Sequence, residues 1–113
     1  MSSIKLSDAA RNDLQRLYDF LAQFDVRIAN DGIDAVLQKL DYLKTYPHDG
    51  SPVEDRPHIR KSVVDFGASG YLVFHKRYER QDTTFVARII HQKEWYDAET
   101  IGLIEEEKEV GRK

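Results

Sequence analysis

The apolar residues of this chain change their spacing once, and that change limits the folds that are open to it. Before Pro47 they recur every three or four residues, as on one face of an α-helix. After Pro57 they fall into short runs with a period of two, as in half-buried β-strands. A helical half followed by a strand half predicts an α+β domain, with the helices covering one face of a sheet.

The first half contains two apolar stripes, which predict a helical hairpin. Ser7 is a suitable N-cap for the first helix, and Asp25 can cap the second. Asp13 and Arg16 fall on the polar face of the first helix, so they are predicted to face solvent. The segment from Pro47 to Pro52 predicts a turn-rich loop after the second helix. The stripes consist of Ala10, Leu14, Leu17, Tyr18, Leu21 and Phe24, and of Ala29, Ile33, Val36, Leu37, Leu40 and Leu43.

The second half predicts three strands in an antiparallel meander. Their sequences are IRKSVVDF at residues 59–66, YLVF at 71–74 and FVARII at 85–90. A short strand, IKL, precedes the helices. We therefore expect an α+β fold with a short N-terminal strand, an α-helical hairpin and a three-stranded antiparallel meander, in a single domain over residues 1–96. Residues 97–113 are expected to form a charged tail or a short helix.

Composition excludes several classes of protein and site. The chain has no cysteine, which rules out disulfides, zinc–thiolate sites and a thiol nucleophile. No run approaches the ~20 apolar residues that span a bilayer. Residues 1–14 contain no apolar block of signal-peptide length, so we expect a cytoplasmic protein without a membrane partner. His48 and His58 have no ligand partners at a recognisable spacing, so no metal or other cofactor is expected.

The net charge of −3 conceals an uneven distribution of charge. Residues 56–93 contain 8 basic and 3 acidic residues, whereas residues 1–55 contain 6 basic and 10 acidic ones, and residues 94–113 contain 3 and 7. A local basic field attracts an anionic partner even when the whole chain is acidic. The basic strands can equally face the acidic helices of their own fold, and the sequence leaves both interpretations open.

Five segments carry a resemblance to a known family. They are DLQRLYDFLAQF and LDYLKTYPHDGSP in the helical half, and IRKSV, SGYLVFHK and VARIIHQKEW in the strand half. In this order, over about residues 4–96, they resemble the RelE/ParE superfamily of bacterial toxin–antitoxin toxins. The segments YLVFHK and IIHQKEW are similar to those of the ParE branch. RelE-like ribonucleases carry an Arg at the position that Leu72 occupies here.

The resemblance implies a toxin that inhibits DNA gyrase, a topoisomerase, by binding it and has no catalytic site of its own. A cognate antitoxin protein would neutralise it by laying an amphipathic helix against the helical hairpin. Phe24 is expected to belong to an exposed aromatic rim with Tyr18, Tyr42 and Tyr46. The predicted antitoxin contacts are Leu14, Tyr18, Leu21, Leu40, Tyr42 and Tyr46. The predicted target contacts are Arg60, Lys93 and Trp95.

Two alternatives stay open. The chain can be a ribosome-dependent mRNA endoribonuclease of RelE type, in which Arg60, Arg88 and His91 supply the cationic and proton-transfer groups. A net charge of −3 is unfavourable for docking on the dense phosphate of a ribosome. The chain can also be a degenerate family member that only pairs with its antitoxin.

Each nuclease candidate also has a structural interpretation. Arg60 can be a charge on the open sheet face, and His91 can be hydrogen-bonded to a loop. An arginine among apolar neighbours needs water or an ion-pair partner, and for Arg88 the candidate partner is Asp65. Strict alternation places Arg88 on one face with Val86 and Ile90, opposite Phe85, Ala87 and Ile89. His75 is expected to be a cross-strand packing residue or a surface residue.

Overall fold

The computed structural model describes residues 3–92, and its elements follow the predicted order with one addition. The α+β class, the N-terminal strand, the helical hairpin and the antiparallel meander are confirmed. The helices are α1 (Asp8–Ala22) and α2 (Val26–Thr45). The strands are β1 (Ser3–Leu6), β2 (Ser51–Val53), β3 (Arg56–Phe66), β4 (Ser69–Tyr78) and β5 (Thr83–His91).

The five strands form one mixed sheet in the order β1-β5-β4-β3-β2. β1 lies parallel to β5, and the other neighbours are antiparallel. β2 replaces the end of the turn-rich loop that the sequence predicts, so that prediction is wrong for residues 51–52. Pro52 is tolerated there because β2 lies at the edge of the described sheet, where a missing N–H interrupts no central ladder.

Both helices begin directly after the residues that the sequence predicts as N-caps. The Ser7 hydroxyl accepts a hydrogen bond from the Ala10 amide at 2.9 Å and donates one to the Ala87 carbonyl of β5 at 2.7 Å. The Asp25 carboxylate accepts one from the Arg27 amide at 2.7 Å. Ser7 is buried, so one hydroxyl both caps α1 and ties its first turn to the sheet.

The main core lies between the two helices and the sheet. Its buried members are Ala10, Leu17, Val36, Leu40, Leu43, Val64, Tyr71, Val73, Val86 and Ile89. Gly32 of α2 is buried against Leu21 of α1 and Phe66 of β3. A Cβ at this position would lie 2.7 Å from Leu21 Cδ1 and 3.2 Å from the Phe66 ring, so a larger residue would push these side chains aside.

A second cluster lies on the opposite sheet face, and a β-bulge in β5 determines its members. Phe74 pairs with Arg88 but His75 pairs with Val86, so Ala87 is the additional residue in β5. Strict alternation is therefore wrong across the bulge. Val86 and Ile89 share the main core, three residues apart. The second cluster contains Ile59, Leu72, Phe74, Phe85, Ala87 and Ile90.

Neither helix within residues 3–92 is long and apolar enough to cross a membrane. The predicted tail, residues 97–113, lies outside the described residues. The domain division at residue 96 therefore stays a prediction.

Candidate functional site

A cavity of about 570 Å³ opens between the second half of α1 and one end of the sheet. Leu17 and Leu21 line it from the apolar stripe of α1, and Phe66 and Tyr71 face them from β3 and β4. The two aromatic rings stack with their centroids 6.1 Å apart. The lining residues are Arg16, Leu17, Phe20, Leu21, Phe66, Gly67, Tyr71 and His91. A concave apolar site with few polar groups is the usual form of a ligand or partner pocket.

Exposed apolar side chains continue from this cavity onto the junction of the two helices. Phe20 is 56% exposed and Phe24 is 71% exposed, and their rings meet edge to face at 5.6 Å. Val26 and Ile28, in the first turn of α2, are exposed as well. We refer to Phe20, Phe24, Val26 and Ile28 as the junction patch. A group of large, exposed apolar side chains is typical of an interaction surface.

A second exposed surface lies at the other end of α2. The rings of Tyr42 and Tyr46 are 4.7 Å apart, and the Lys39 ammonium lies 4.7 Å from the centroid of the Tyr42 ring. Val63 of β3 lines a shallow groove with Tyr42 and is exposed. We refer to Tyr42, Tyr46 and Val63 as the tyrosine surface.

The sheet edge beside the tyrosine surface is open within the described residues. The pairing of β2 with β3 reaches Lys61 and does not extend to residues 62–66 in the part of the chain that the structure describes. Unpaired backbone groups on a sheet edge can accept an added strand from a partner.

The predicted antitoxin contacts differ in accessibility. Tyr42 and Tyr46 are exposed, as the expected aromatic rim requires, and Phe24 is exposed with them. Leu14, Tyr18 and Leu21 are partly buried, and Leu21 lines the cavity. Leu40 is only 6% exposed and packs in the main core, so its side chain is not presented to a partner.

Arg88 is held by an ion pair with Asp13, not with Asp65. Arg88 Nε and Nη2 donate to the two Asp13 carboxylate oxygens at 2.6 and 2.8 Å, and the Ile89 amide donates to the same carboxylate at 2.9 Å. Asp13 is 2% exposed, which corrects the prediction that it faces solvent. Asp65 is exposed on β3. The pair therefore joins the middle of α1 to the middle of β5.

Arg60 and His91 have different neighbours from Arg88. Arg60 Nη2 donates to the Gly50 carbonyl at 2.7 Å, and Arg60 Nε donates to the Asp49 carbonyl at 3.3 Å. His91 Nε2 lies 3.1 Å from the Ser69 hydroxyl, and its ring meets Tyr71 edge-on at 5.7 Å. Burial raises the pKa of the Tyr71 hydroxyl. The three side chains proposed for RNA cleavage are thus held by three different sets of contacts.

His75 is fully buried in a polar cluster that the sequence did not indicate. Its Nε2 lies 2.8 Å from the Ser62 hydroxyl, which in turn donates to the Asp49 carbonyl at 3.3 Å. Since Ser62 uses its proton on that carbonyl, His75 is the donor in the bond between them. Burial lowers the pKa of His75 to about 4, so the ring is neutral near pH 7. The Ser62–His75 pairing across β3 and β4 is visible only once the register is known.

Lys93 and Trp95, predicted as target contacts, lie outside the described residues, as does Tyr96. Among residues 3–92, no cluster of histidine and acidic side chains has the arrangement of a metal site.

Comparison with family models places the chain in a known group. Residues 4–96 match the model described as "ParE toxin of type II toxin-antitoxin system, parDE". The chain belongs to this family. It is a toxin of the RelE/ParE superfamily, as the five segments and the fold indicate. A search of curated protein sequences finds no match to this toxin.

Solved structures show the same fold at low sequence identity. The toxin aligns with a chain of the chromosomal ParDE system from P. aeruginosa at a TM-score of 0.66 and 15% identity, over 80% of this chain and 96% of that one. It aligns with RelBE2 from Mycobacterium tuberculosis at 0.58 and 18%, over 80% and 98%. It aligns with isolated E. coli RelE at 0.59 and 12%, over 93% and 98%. These likenesses extend to toxins of both branches, so the fold alone does not distinguish between them.

Proposed function

We propose that this toxin acts by binding DNA gyrase, without catalysis, and that a cognate antitoxin neutralises it by occupying the apolar cavity and the junction patch. The observation that carries the antitoxin proposal is the 570 Å³ apolar cavity, which opens directly onto the exposed ring of Phe20. One of the structural relatives is a toxin–antitoxin complex, which supports a partner of this kind.

The form of this surface suits an amphipathic helix. Such a helix buries side chains at every third or fourth position, and a concave apolar site accepts one or two of them as anchors. Leu17, Leu21 and Phe66 form the walls that would surround an anchor, and Phe20 would close over it. Anchors that fill well-packed central pockets contribute most of the binding energy of protein interfaces.

The tyrosine surface provides a second contact for the same partner. A segment that continues past the junction patch along α2 reaches Tyr42 and Tyr46, and an extended portion can pair with the open edge of β3 at residues 62–66. This arrangement keeps Tyr42 and Tyr46 as antitoxin contacts and leaves out Leu40, because that side chain is buried in the core.

Binding without catalysis is supported by the environments of the nuclease candidates. Arg88 forms an ion pair with Asp13 at 2.6 Å. Because this carboxylate offsets the positive charge of Arg88, the guanidinium would attract a phosphate only weakly. His91 is already engaged with Ser69 and Tyr71. The basic strands leave Arg60 among the groups that can contact an acidic surface of a protein target.

The competing function, ribosome-dependent mRNA cleavage, has one observation in its favour. His91 lines the cavity together with Arg16 and Tyr71, so a proton-transfer group and a cation share one hollow. Arg16 also lies 3.4 Å from Asp13, which reduces its positive field. The raised pKa of Tyr71 makes its hydroxyl a weaker acid than that of an ordinary tyrosine.

The antitoxin proposal is tested by co-expressing the toxin with the product of the adjacent small reading frame and measuring the affinity of the purified complex. Phe20→Asp places a charge at the mouth of the cavity, and we expect the affinity to fall at least about 100-fold. Gln81→Asp, in the exposed turn between β4 and β5, introduces the same charge elsewhere and should leave the affinity within about twofold. Equal affinities for the two variants would place the antitoxin on another surface.

The choice of target is tested by expressing the toxin alone and following DNA supercoiling and translation separately. Inhibition of gyrase supercoiling with intact translation supports the proposal. Cleavage of mRNA on stalled ribosomes, lost in His91→Ala, would establish the competing function. Growth without arrest in the absence of the antitoxin would identify a degenerate toxin.

A further inference from the structure

A small polar cleft lies at the end of the sheet, away from the apolar cavity. It measures about 230 Å³, and we refer to it as the end cleft. Its lining residues are His48, Pro57, His58, Arg60, Arg77 and Glu79. They come from the loop after α2, the start of β3 and the end of β4. The antitoxin proposal does not use this cleft, although Arg60 is also a predicted target contact.

The fold brings the cationic side chains to one face of two neighbouring strands. Arg60 of β3 pairs directly with His75 of β4. His58 and Arg60 of β3 both line the end cleft, and alternation along β4 places Arg77 on the same face as His75. This is the face that carries Val64 of the main core, but here α2 has already ended at Thr45. Beyond the end of α2, Arg60 and Arg77 line the end cleft, whereas His75 is fully buried.

Arg60 keeps its positive charge unneutralised by its hydrogen-bond partners. Both are backbone carbonyls, of Asp49 and Gly50, and a carbonyl carries no net charge. The loop that supplies them packs closely against β3. Gly50 has a φ of +91°, and a Cβ there would lie 2.2 Å from the Lys61 carbonyl oxygen. The guanidinium of Arg60 is thus preorganised and retains its charge for a ligand.

Arg77 has a buried N–H group without a partner. Its guanidinium forms ion pairs with Asp82 and, at 3.4 Å, with Glu79. Arg77 Nη1 is nonetheless buried, and no group among residues 3–92 accepts a hydrogen bond from it. Thr84, the register partner of Arg77, also has a hydroxyl oxygen that is buried without a partner among residues 3–92. Buried polar atoms of this kind call for a bound water or ion.

We propose that the end cleft binds a tetrahedral oxyanion of the phosphate class, held by Arg60 and Arg77. A guanidinium presents paired N–H groups that match two oxygens of such an anion, and the unpartnered Arg77 Nη1 supplies a further donor. The volume admits a phosphate or sulfate group and is smaller than the ~300 Å³ at which drug-sized ligand sites begin. This site is independent of the antitoxin proposal, and it shares Arg60 with the predicted target contacts.

Glu79 is the one lining group that opposes an anion. Its carboxylate pairs with Arg77 and lies 3.6 Å from His48 Nε2. A bound oxyanion must share Arg77 with this carboxylate, so the structure indicates modest affinity. Removing the negative charge of Glu79 is therefore the change that should strengthen binding.

The test is an NMR titration of the full chain with sodium sulfate at constant ionic strength, following the backbone amide signals. We expect saturable shifts at residues lining the end cleft. Arg60→Gln should weaken sulfate binding at least about tenfold. The matched control Lys61→Gln removes the same charge from the next residue of β3, on the other sheet face, and should change the affinity less than about twofold. Glu79→Gln should tighten binding about threefold.

Non-saturable shifts, or an equal loss in Arg60→Gln and Lys61→Gln, would overturn the proposal, because both indicate a general charge effect. If Arg60→Gln fails to fold, Glu79→Gln decides alone: tighter binding supports the site, and unchanged binding overturns it. Repeating the titration with inorganic phosphate and with a nucleoside 5′-monophosphate distinguishes a free anion from a phosphate group carried by a larger molecule. Of these two, the ligand that binds more tightly, and whose binding Arg60→Gln weakens, indicates the form in which the end cleft recognises phosphate.

Discussion

Asp13 on α1 and Arg88 on β5 form a bidentate ion pair across the interface between the helices and the sheet, with contacts of 2.6 and 2.8 Å. The Ile89 amide donates to the same carboxylate, so Asp13 satisfies one side-chain and one backbone group of β5. This pair fixes the position of α1 along β5. The same pair also offsets the positive charge of Arg88, which is the mid-strand basic residue of the nuclease hypothesis.

Loss of the Asp13 carboxylate should therefore destabilise the fold strongly. In Asp13→Ala, Arg88 and the Ile89 amide stay buried or partly buried without their partner, and we expect the free energy of unfolding to fall by about 3 kcal/mol. Arg11→Ala breaks the exposed pair with Asp8 on the same helix and should cost less than about 1 kcal/mol. Urea denaturation of both variants measures the difference. Similar losses would show that the buried pair has no special role.

His75 should make the stability of the toxin depend on pH in mildly acidic solution. Its pKa is about 4 in the folded chain against an ordinary value of 6.5, so the unfolded chain takes up the proton first. Stability is then fully present above about pH 6.5 and declines as the pH falls towards about 4, by about 3 kcal/mol. His75→Gln keeps a donor for Ser62 but does not titrate, so its stability should decline less over this window. Denaturant melts at several pH values measure the free energy of unfolding of both proteins. If the two proteins lost the same free energy of unfolding between pH 6.5 and 4, His75 would not be the group responsible.

Gly67, in the turn between β3 and β4, and Gly70, the second residue of β4, should respond differently to alanine. A Cβ on Gly70 would lie 2.0 Å from the Val64 carbonyl oxygen, a backbone atom of β3 that cannot rotate away as a side chain can, so Gly70→Ala should cost about 3 kcal/mol. Gly67 has a φ of +64° but open space around it, so Gly67→Ala should cost only the left-handed backbone strain, about 1 kcal/mol. Thermal unfolding of the pair measures both. A smaller loss in Gly70→Ala than in Gly67→Ala would be inconsistent with the observed packing.

Ser7 should contribute more than an ordinary helix cap. Ser7→Ala removes both the bond to the Ala10 amide and the bond to the Ala87 carbonyl of β5, with an expected loss of about 2 kcal/mol. Ser51→Ala, an exposed serine in β2, should change stability by less than about 0.5 kcal/mol. Hydrogen exchange at Ala10 should also accelerate in Ser7→Ala alone. Unchanged exchange there would mean that another group caps the helix.

Much of the fold is predictable from local patterns because those patterns act over a few residues. The stripe from Ala10 to Leu21 buries one face of α1, and the caps at Ser7 and Asp25 lie where the sequence places them. The strand runs are correct in identity and order, although β4 extends past Phe74 to Tyr78. β2 is not predictable in the same way, because its three residues form a strand only through pairing with β3.

The candidate site is less predictable, because its members come together through packing and register. The sequence places Leu40 on an apolar helix face and Phe20 off it, but it does not show that Phe20 borders a cavity, since that depends on how α1 lies over the sheet. It also indicates that Arg88 needs a partner but not which carboxylate it meets.

The sequence by itself determined the α+β class, the helical hairpin, the meander and the family of this toxin, because periodicity, capping residues and family segments are encoded in contiguous stretches. Only the tertiary structure decided the Asp13–Arg88 pair, the bulge at Ala87, the apolar cavity and the end cleft. Each of these joins residues that are distant in the chain. A side chain's charge or apolar surface is fixed by its identity, but its neighbours are fixed by the register of the strands and the placement of the helices.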